Sequence, residues 1–139
     1  AAAPLVSAWV LDDVTARALI PDELAKGFGF LHGKPASAFS PVAATPDELG
    51  DVQRLPLWLS VNGEKRQTSN TDQMIFDVPT LVSYLSRFMT LLPGDVISTG
   101  TPPGVGLGFN PPVFLKAGDV VELGIEGLGQ QRQRVVPPL

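Results

Sequence analysis

The stretch LPLWLSVNGEKRQTS, residues 55–69, joins an apolar run to a polar run through the dipeptide Asn62-Gly63. A two-residue type I′ turn needs positive φ at both central positions, and Asn-Gly adopts that conformation readily. The runs on either side have the length and composition of strands. The stretch therefore predicts an antiparallel β-hairpin and indicates a protein built mainly from β-strands.

Working outward, further strands are predicted on both sides of this hairpin. In KAGDVVELGIEG, residues 116–127, side chains alternate and glycine bounds the segment, so QQRQRVV, residues 130–136, is expected to pair back on it. GDVIST, residues 94–99, predicts another strand, and LVSAWVL, residues 5–11, predicts a buried one. Prolines interrupt PASAFSPVAAT, residues 35–45, which is at most an edge strand.

Helical signals are fewer. DVPTLVSYLSRFM, residues 77–89, begins with Asp77 as a candidate N-cap and carries apolar residues at helical spacing. PDELAKG, residues 21–27, has acidic residues early and a glycine stop, whereas TPDEL, residues 45–49, predicts a turn. We therefore expect a mainly β (α+β) fold with one or two helices, the longer one packed on the sheet.

The overall composition excludes several classes of protein. With 44% hydrophobic and 17% charged residues over 139 positions, we expect one globular domain covering residues 1–139. The net charge of −4, with scattered Lys and Arg, argues against nucleic-acid or membrane partners. The chain has no cysteine, which excludes disulfides and thiolate chemistry and is typical of a cytoplasmic protein. Neither a membrane-spanning run nor a signal peptide is predicted.

A loop rich in glycine and proline, GTPPGVG, occupies residues 100–106 after the predicted strand. No Lys-Ser or Lys-Thr follows with the spacing of a phosphate-binding loop, so that kind of nucleotide site is excluded. Taken alone, such a segment is most often an ordinary tight loop, because glycine supplies positive φ and proline fixes φ.

Two short motifs place charged residues next to loops. LDDVTAR, residues 11–17, ends the first predicted strand with two carboxylates and an arginine. Neighbouring strand residues face opposite sides, so at most one of Asp12 and Asp13 points into a site. A single carboxylate followed by Arg17 is either a capping or ion-pair arrangement or a metal ligand.

In HGKPASAF, residues 32–39, Lys34 follows a glycine in a loop that is otherwise poor in charge. It either presents a cation to an oxyanion or substrate carboxylate or is an ordinary surface lysine. His32 is the only histidine, which excludes a multi-histidine metal site within one chain. We expect it to be an exposed loop residue rather than a catalytic base. No G-x-S-x-G motif occurs, so a serine hydrolase is not indicated.

Taken in order, the motifs DDVTAR (12–17), GKPASAFSP (33–41) and GDVISTGTPPGVG (94–106) resemble the C-terminal half of the fumarylacetoacetate hydrolase family. Residues 61–96 and LKAGDVVELGIEGLGQ, residues 115–130, share the likeness, which covers nearly the whole chain. The resemblance implies the mixed β-roll or β-sandwich of that family.

The resemblance also implies a site. Asp13 matches the metal-binding aspartate of the family's N-D-x-S-A-R motif, Arg17 the arginine that closes it, and Lys34 the lysine of its G-K-S-F motif. Thr101 is implied to hold a substrate carboxylate or carbonyl oxygen. Family members use Mg²⁺ or Mn²⁺, with Ca²⁺ as a further option and no organic cofactor, to chelate 2-oxo or 1,3-diketo acids. Lys34, Thr101 and Arg17 are the implied catalytic residues and Asp13 the implied metal ligand.

The implied activity is hydrolysis of carbon–carbon bonds in acylpyruvate-like acids, with decarboxylation or isomerisation as variants. The sequence departs from the family pattern at Asp12, Thr15, Ala18 and Pro35, and it contains none of the Glu-x-Glu or histidine segments that lie further upstream in the family. A second interpretation is therefore an inactive β-rich fragment or designed scaffold.

Two further expectations concern the origin and assembly of the chain. Residues up to 50 resemble one branch of the family and residues from 55 onward another, which suggests a truncated, recombined or engineered sequence. A half-family domain also exposes apolar surface, so we expect a homodimer.

Overall fold

The computed structural model describes residues 7–34 and 36–137. Over these ranges the chain forms six β-strands, three short α-helices and three single 3₁₀ turns. In chain order the strands and helices are β1 (Leu11–Asp12), α1 (Ile20–Ala25), β2 (Ala38–Phe39), α2 (Pro46–Leu49), β3 (Pro56–Val61), β4 (Glu64–Asn70), α3 (Val78–Leu85), β5 (Val120–Ile125) and β6 (Gly129–Arg134). The expected mainly β fold with helices is confirmed.

The β3–β4 hairpin forms where the sequence predicts it. Asn62 and Gly63 have φ values of 52° and 79°, as a type I′ turn requires. The ladder is regular from Pro56 to Leu59, and its register then shifts between Leu59 and Ser60. Leu59 faces Gln67 and Ser60 faces Lys65, so Arg66 is the extra residue of a β-bulge.

The predicted C-terminal hairpin is also present, and it completes a four-stranded antiparallel sheet in the order β4-β3-β5-β6. The side chain of Asn62 ties the first hairpin to β5, because its Nδ2 donates to Asp119 and its Oδ1 accepts from the Val120 amide, both at 2.9 Å. One row of inward-facing residues crosses all four strands in register. The row consists of Gln67, Leu59, Leu123 and Gln131.

A second, two-stranded sheet lies against this face. In it β1 pairs with β2, Leu11 opposite Phe39, and an isolated bridge joins Ala8 to Ala44. The buried core between the two sheets consists of Val10, Ala44, Leu55, Val121, Leu123 and Leu128. The Gln131 side chain crosses between the sheets and donates to the carbonyl oxygen of Val10 at 2.8 Å.

Two predicted strands differ from the structure. Residues 94–99 form a turn followed by irregular chain, since among the described residues no strand pairs with them, and Val96 is exposed. A strand needs a hydrogen-bonded neighbour, which local composition does not guarantee. The strand expected over residues 5–11 is shorter, with regular pairing at Leu11 and beyond and a bridge at Ala8; residues 5 and 6 lie outside the described ranges.

The helices also differ in detail. Asp77 caps α3 as predicted, accepting the Thr80 amide at 2.8 Å, but the helix ends at Leu85 and not at Met89. The Ser86 hydroxyl donates to the Val82 carbonyl at 2.8 Å, and a side-chain hydrogen bond of this kind competes with the backbone hydrogen bonds that would continue the helix. No residue of α3 is buried, so the expectation that it packs on the sheet is wrong.

The segment predicted as a turn at residues 45–49 instead forms the single-turn helix α2, with proline in its first turn and two acidic residues near its N-terminus. None of the helices within residues 7–34 and 36–137 has the length and hydrophobicity needed to cross a bilayer.

Candidate functional site

The first predicted site residues meet at the end of the small sheet. Lys34 Nζ donates to Asp13 Oδ2 at 2.7 Å, and Ser37 Oγ donates to Asp13 Oδ1 at 3.4 Å. The side chains of Lys34 and Asp13 are 35% and 39% exposed, so solvent limits the pair to roughly 1 kcal/mol of stability at most. Its importance is therefore positional, because it holds an ammonium group in a fixed place at an open surface.

The loop before Lys34 is held by a buried carboxylate that sequence reasoning missed. Glu23 in α1 is 6% exposed, and it accepts the amides of His32 and Gly33. Burial alone raises the pKa of Glu23, but these donors and the His32 ring more than offset that effect and lower it below its ordinary value. Gly33 has no room for a Cβ, which would lie 2.9 Å from Glu23 Oε2. The segment leading into Lys34 is thereby fixed.

His32 is the exposed loop residue that the sequence predicts. Its side chain is 76% exposed, and its Nδ1 lies 3.2 Å from Glu23 Oε1. The ring therefore faces the carboxylate that anchors the loop. A role as catalytic base is not supported by this arrangement.

Asp12 and Asp13 differ in solvent exposure, as expected for neighbouring residues of an extended chain, which face opposite sides. Asp12 belongs to β1 and is half-buried, while Asp13 is exposed and meets Lys34. Burial first, and then the neighbouring charge of Asp13, raise the pKa of Asp12. Asp13 is therefore the carboxylate of the two that contacts Lys34, and its role in a site stays a prediction.

Arg17 begins a 3₁₀ turn, Arg17–Leu19, and is half-buried. Among the described residues it forms no ion pair. The structure does not join it to the Asp13–Lys34 pair by a hydrogen bond, and its catalytic role stays a prediction.

Thr101 is held elsewhere, at the outer edge of the large sheet. Gln67 of β4 donates from Nε2 to Thr101 Oγ1 and to the Pro102 carbonyl, both at 2.9 Å. Gly104 lies against the bulge, where a Cβ would come within 2.9 Å of the Arg66 carbonyl carbon. Sequence reasoning missed Gln67, because without the register shift the hairpin would place Arg66, and not Gln67, opposite Leu59.

The two groups are thus anchored from opposite edges of one sheet face. Gln67 at the β4 edge holds the Thr101 loop, and Gln131 at the β6 edge binds the carbonyls of Val10 and Ala38 in the ribbon that carries Asp13. Three strand spacings of about 4.8 Å put the anchoring strands roughly 14 Å apart. The sheet therefore acts as a common platform for both.

The described residues do not form a metal site by themselves. In residues 7–34 and 36–137 no three Asp, Glu or His side chains gather in a way that could hold an ion. Asp13 offers one carboxylate, and both of its oxygens already accept hydrogen bonds. Mg²⁺ and Mn²⁺ prefer several oxygen ligands, so one carboxylate does not fit as a complete site. The assignment of Asp13 as a ligand stays a prediction.

The sequence matches the fumarylacetoacetate (FAA) hydrolase C-terminal family over residues 4–136. It is 54% identical over 114 residues to 2,4-didehydro-3-deoxy-L-rhamnonate hydrolase from a Sphingomonas species, which is 79% of this chain and 40% of that protein. Fumarylacetoacetate hydrolase from psychrophilic Exiguobacterium antarcticum superposes with a TM-score of 0.86 at 41% identity, over 94% of this chain and 46% of that one.

Fumarylpyruvate hydrolase from Pseudomonas aeruginosa, solved in complex with Mn²⁺ and pyruvate, superposes with a TM-score of 0.82 at 35% identity, over 94% of this chain and 54% of that one. The chain spans about half the length of these relatives. The superpositions confirm the predicted family fold. The chain therefore belongs to the fumarylacetoacetate hydrolase family and corresponds to its C-terminal part.

Proposed function

We propose that this chain, as a single domain, supplies the substrate-holding part of a hydrolase that cleaves carbon–carbon bonds in acylpyruvates and related 1,3-diketo acids. The observation that carries the proposal is the hydrogen bond between Lys34 and Asp13, which belong to two motifs of the family. Glu23 holds the loop that leads into Lys34. The named substrates of two relatives support the class, because fumarylpyruvate and 2,4-didehydro-3-deoxy-L-rhamnonate are both 2,4-dioxo acids.

The reaction adds water to the distal carbonyl of such an acid. The bond between that carbonyl carbon and the neighbouring methylene then breaks, and its electron pair passes to the pyruvate fragment as an enolate. A proton delivered to the enolate carbon gives pyruvate, and the other product is a carboxylic acid. The difficult part is the negative charge that develops on the enolate oxygen, which a fixed cation or hydrogen-bond donor stabilises.

Lys34 meets this need. An ammonium group has three N–H donors, and one of them is directed at Asp13. The other two are free to bind the enolate oxygen or the carboxylate of the pyruvate fragment. Asp13 thus orients Lys34, and the Thr101 hydroxyl is a second donor for a substrate oxygen. Arg17 is proposed to bind the substrate carboxylate, for which a guanidinium has matching geometry.

We further propose that Asp13 contributes one oxygen ligand to a divalent cation, Mg²⁺ or Mn²⁺, whose other ligands are oxygen atoms of the bound substrate and water. The Mn²⁺ in the fumarylpyruvate hydrolase complex supports this choice. When bound, such an ion polarises a substrate carbonyl. The residues described here do not hold it unaided, as argued above.

We also propose a cytoplasmic homodimer that takes neither nucleic acid nor membrane as a partner. Large apolar side chains are exposed in two stretches, among them Phe28, Leu31, Ile75 and Phe88. Exposed apolar surface of this extent is typical of an interface. Sedimentation should give a dimer at high concentration, and a monomer throughout would contradict this.

A second candidate is a catalytically inactive scaffold, favoured by the lack of a three-carboxylate group among the described residues. Decarboxylation or isomerisation of 2-oxo acids shares the same enolate and is the alternative among enzymes.

The test is thermal unfolding with and without millimolar Mn²⁺ and pyruvate, on the parent chain, on Asp13→Ala and on Asp51→Ala. A ligand that binds only the folded state raises its melting temperature by mass action. Asp51 is the matched control, an exposed carboxylate that, like Asp13, has one basic partner, Arg54, and accepts one further hydrogen bond, from the Gln53 amide. We expect the ligands to raise the melting temperature of the parent and of Asp51→Ala but not that of Asp13→Ala. The parent should then also turn over an acylpyruvate. No rise in any of the three would favour the scaffold.

A further inference from the structure

Gln67 is a polar side chain in an apolar place. It is 7% exposed and lies in the inward-facing row beside Leu59 and the buried Leu123. Burying an amide is unfavourable unless it is hydrogen-bonded. Its Nε2 forms two hydrogen bonds, to Thr101 Oγ1 and to the Pro102 carbonyl oxygen, both at 2.9 Å. The amide is therefore used to hold one dipeptide of the loop.

The second of these contacts decides the direction of the first. The carbonyl oxygen of Pro102 can only accept, so the Gln67 atom beside it must be the amide nitrogen. The same nitrogen lies 2.9 Å from Thr101 Oγ1, which therefore accepts as well. With its oxygen already accepting, the Thr101 hydroxyl keeps its own hydrogen for another partner. Thr101 is exposed, so that partner is met at the surface.

The β-bulge explains why Gln67 can reach this loop. A bulge changes the direction of the side chains next to it, and Arg66 is the extra residue. The loop comes so close to that residue that Gly104 has no room for a Cβ beside the Arg66 carbonyl. The loop is therefore fixed by contacts with two consecutive residues of β4, Arg66 and Gln67.

We propose that Gln67 is a positioning residue that makes the Thr101 hydroxyl an outward hydrogen-bond donor to the carboxylate or enolate oxygen of the substrate. This rests on the proposed function, in which Thr101 contacts the pyruvate fragment. Gln67 itself touches no substrate and acts only through the loop.

The first test measures pyruvate affinity, with millimolar Mn²⁺ present, by titration calorimetry on the 139-residue chain. The variants are Gln67→Met, which keeps the length but removes the donor, Thr101→Val, and the two combined. We expect each single change to weaken pyruvate binding by about tenfold. The double variant should bind pyruvate no more weakly than Thr101→Val alone, because both substitutions remove the same hydrogen bond to the substrate. Gln67→Glu keeps the size but replaces donors by acceptors, and it should bind at least as weakly as Gln67→Met.

The matched control is Gln53→Met. Gln53 also joins two segments, donating to the Thr71 carbonyl at 3.4 Å and accepting the Val78 amide at 2.8 Å, but it touches neither site group. It should lower the unfolding midpoint and leave pyruvate affinity unchanged. Equal loss of affinity in this control would show that the Gln67 effect is general destabilisation and would overturn the inference.

A second measurement uses the folded parent chain, so that it does not require Gln67→Met to fold. Both Gln67 side-chain amide protons should be shifted and protected in ¹⁵N NMR spectra, and Thr101→Val should release one of them. Pyruvate binding that Thr101→Val weakens but Gln67→Met does not would overturn this inference and leave the proposed function intact. No pyruvate binding by the parent would overturn both.

Discussion

Gly104→Ala provides a sharp test of how the Thr101 loop is held. Gly104 has φ of +112°, and a Cβ built on it would lie 2.9 Å from the Arg66 carbonyl carbon and 3.0 Å from Gln67 Cγ, with the Arg66 oxygen nearer still. Favourable carbon–carbon contact begins at about 3.5 Å. The alanine methyl group must therefore retreat by at least about 0.6 Å, which is the difference between about 3.5 Å and the 2.9 Å just given.

This displacement is enough to break the anchor. The two hydrogen bonds from Gln67 measure 2.9 Å, so a shift of about 0.6 Å stretches them to about 3.5 Å, where a contact ceases to count as a hydrogen bond. Two net hydrogen bonds contribute about 1–3 kcal/mol to the free energy of unfolding. Strain from the positive φ adds about 1–3 kcal/mol.

Gly118→Ala separates the two contributions. Gly118 has a similar φ of +97°, but a Cβ there meets nothing within 4 Å. In urea unfolding we expect Gly104→Ala to lose about 1–3 kcal/mol more than Gly118→Ala, since only the former breaks hydrogen bonds. Only Gly104→Ala should also weaken pyruvate binding. Equal stability losses in the two variants, with pyruvate affinity unchanged, would refute the reasoning.

Three further predictions concern the charged residues. Lys34→Met should change the free energy of unfolding by less than about 1 kcal/mol, because the pair with Asp13 is partly solvated, yet it should abolish pyruvate binding; a lysine that is merely on the surface would leave the calorimetric titration unchanged. Glu23→Gln should lower the urea midpoint at neutral pH, because a carboxylate with a lowered pKa stabilises the fold at pH values above its ordinary pKa of 4.5. That contribution is lost as the pH falls through the lowered pKa, so the difference between variant and parent should shrink steadily below pH 4.5. Asp12→Asn should have the opposite effect. Because the pKa of Asp12 is raised above its ordinary value of 3.8, the ionised carboxylate destabilises the fold as the pH rises. The variant should therefore have a higher melting temperature than the parent at neutral pH and the same melting temperature in acid. A constant difference across pH for either variant would contradict the assigned cause.

The parts of the fold that could be predicted are those fixed by neighbouring residues. Asn62-Gly63 sets its own turn, and Asp77 caps its own helix through the Thr80 amide. Residues 94–99 have the composition of a strand, but pairing depends on a partner far away in sequence, and none of the described strands lies beside them. The helix after Asp77 was predicted to pack because it is amphipathic, whereas packing depends on what faces it.

The candidate site divides in the same way. Asp13 and Lys34 could be identified because their motifs are local, and their contact across 21 residues follows from the pairing of β1 with β2. Gln67 and Glu23 escaped notice because their roles arise only after folding. Gln67 needs a register shift one residue away to reach a loop 34 positions later, and Glu23 needs α1 to bring it under the His32 amide. Neither relation has a sequence pattern that distinguishes it from an ordinary polar residue.

The bulge at Arg66 has a consequence for how proteins of this kind can diversify. It fixes the loop at Thr101, Pro102 and Gly104, and the irregular chain beyond them, residues 109–117, runs on to β5 with largely exposed side chains. Two contacts tie this outer part back to the anchored part: the Arg66 guanidinium lies 5.0 Å from the centroid of the Phe109 ring, and the Val113 amide donates to the Gly106 carbonyl at 2.9 Å. The bulge, the Thr101 loop and the outer chain are therefore coupled, so that a change of length in residues 109–117 requires a compensating change at the bulge or at Gly106.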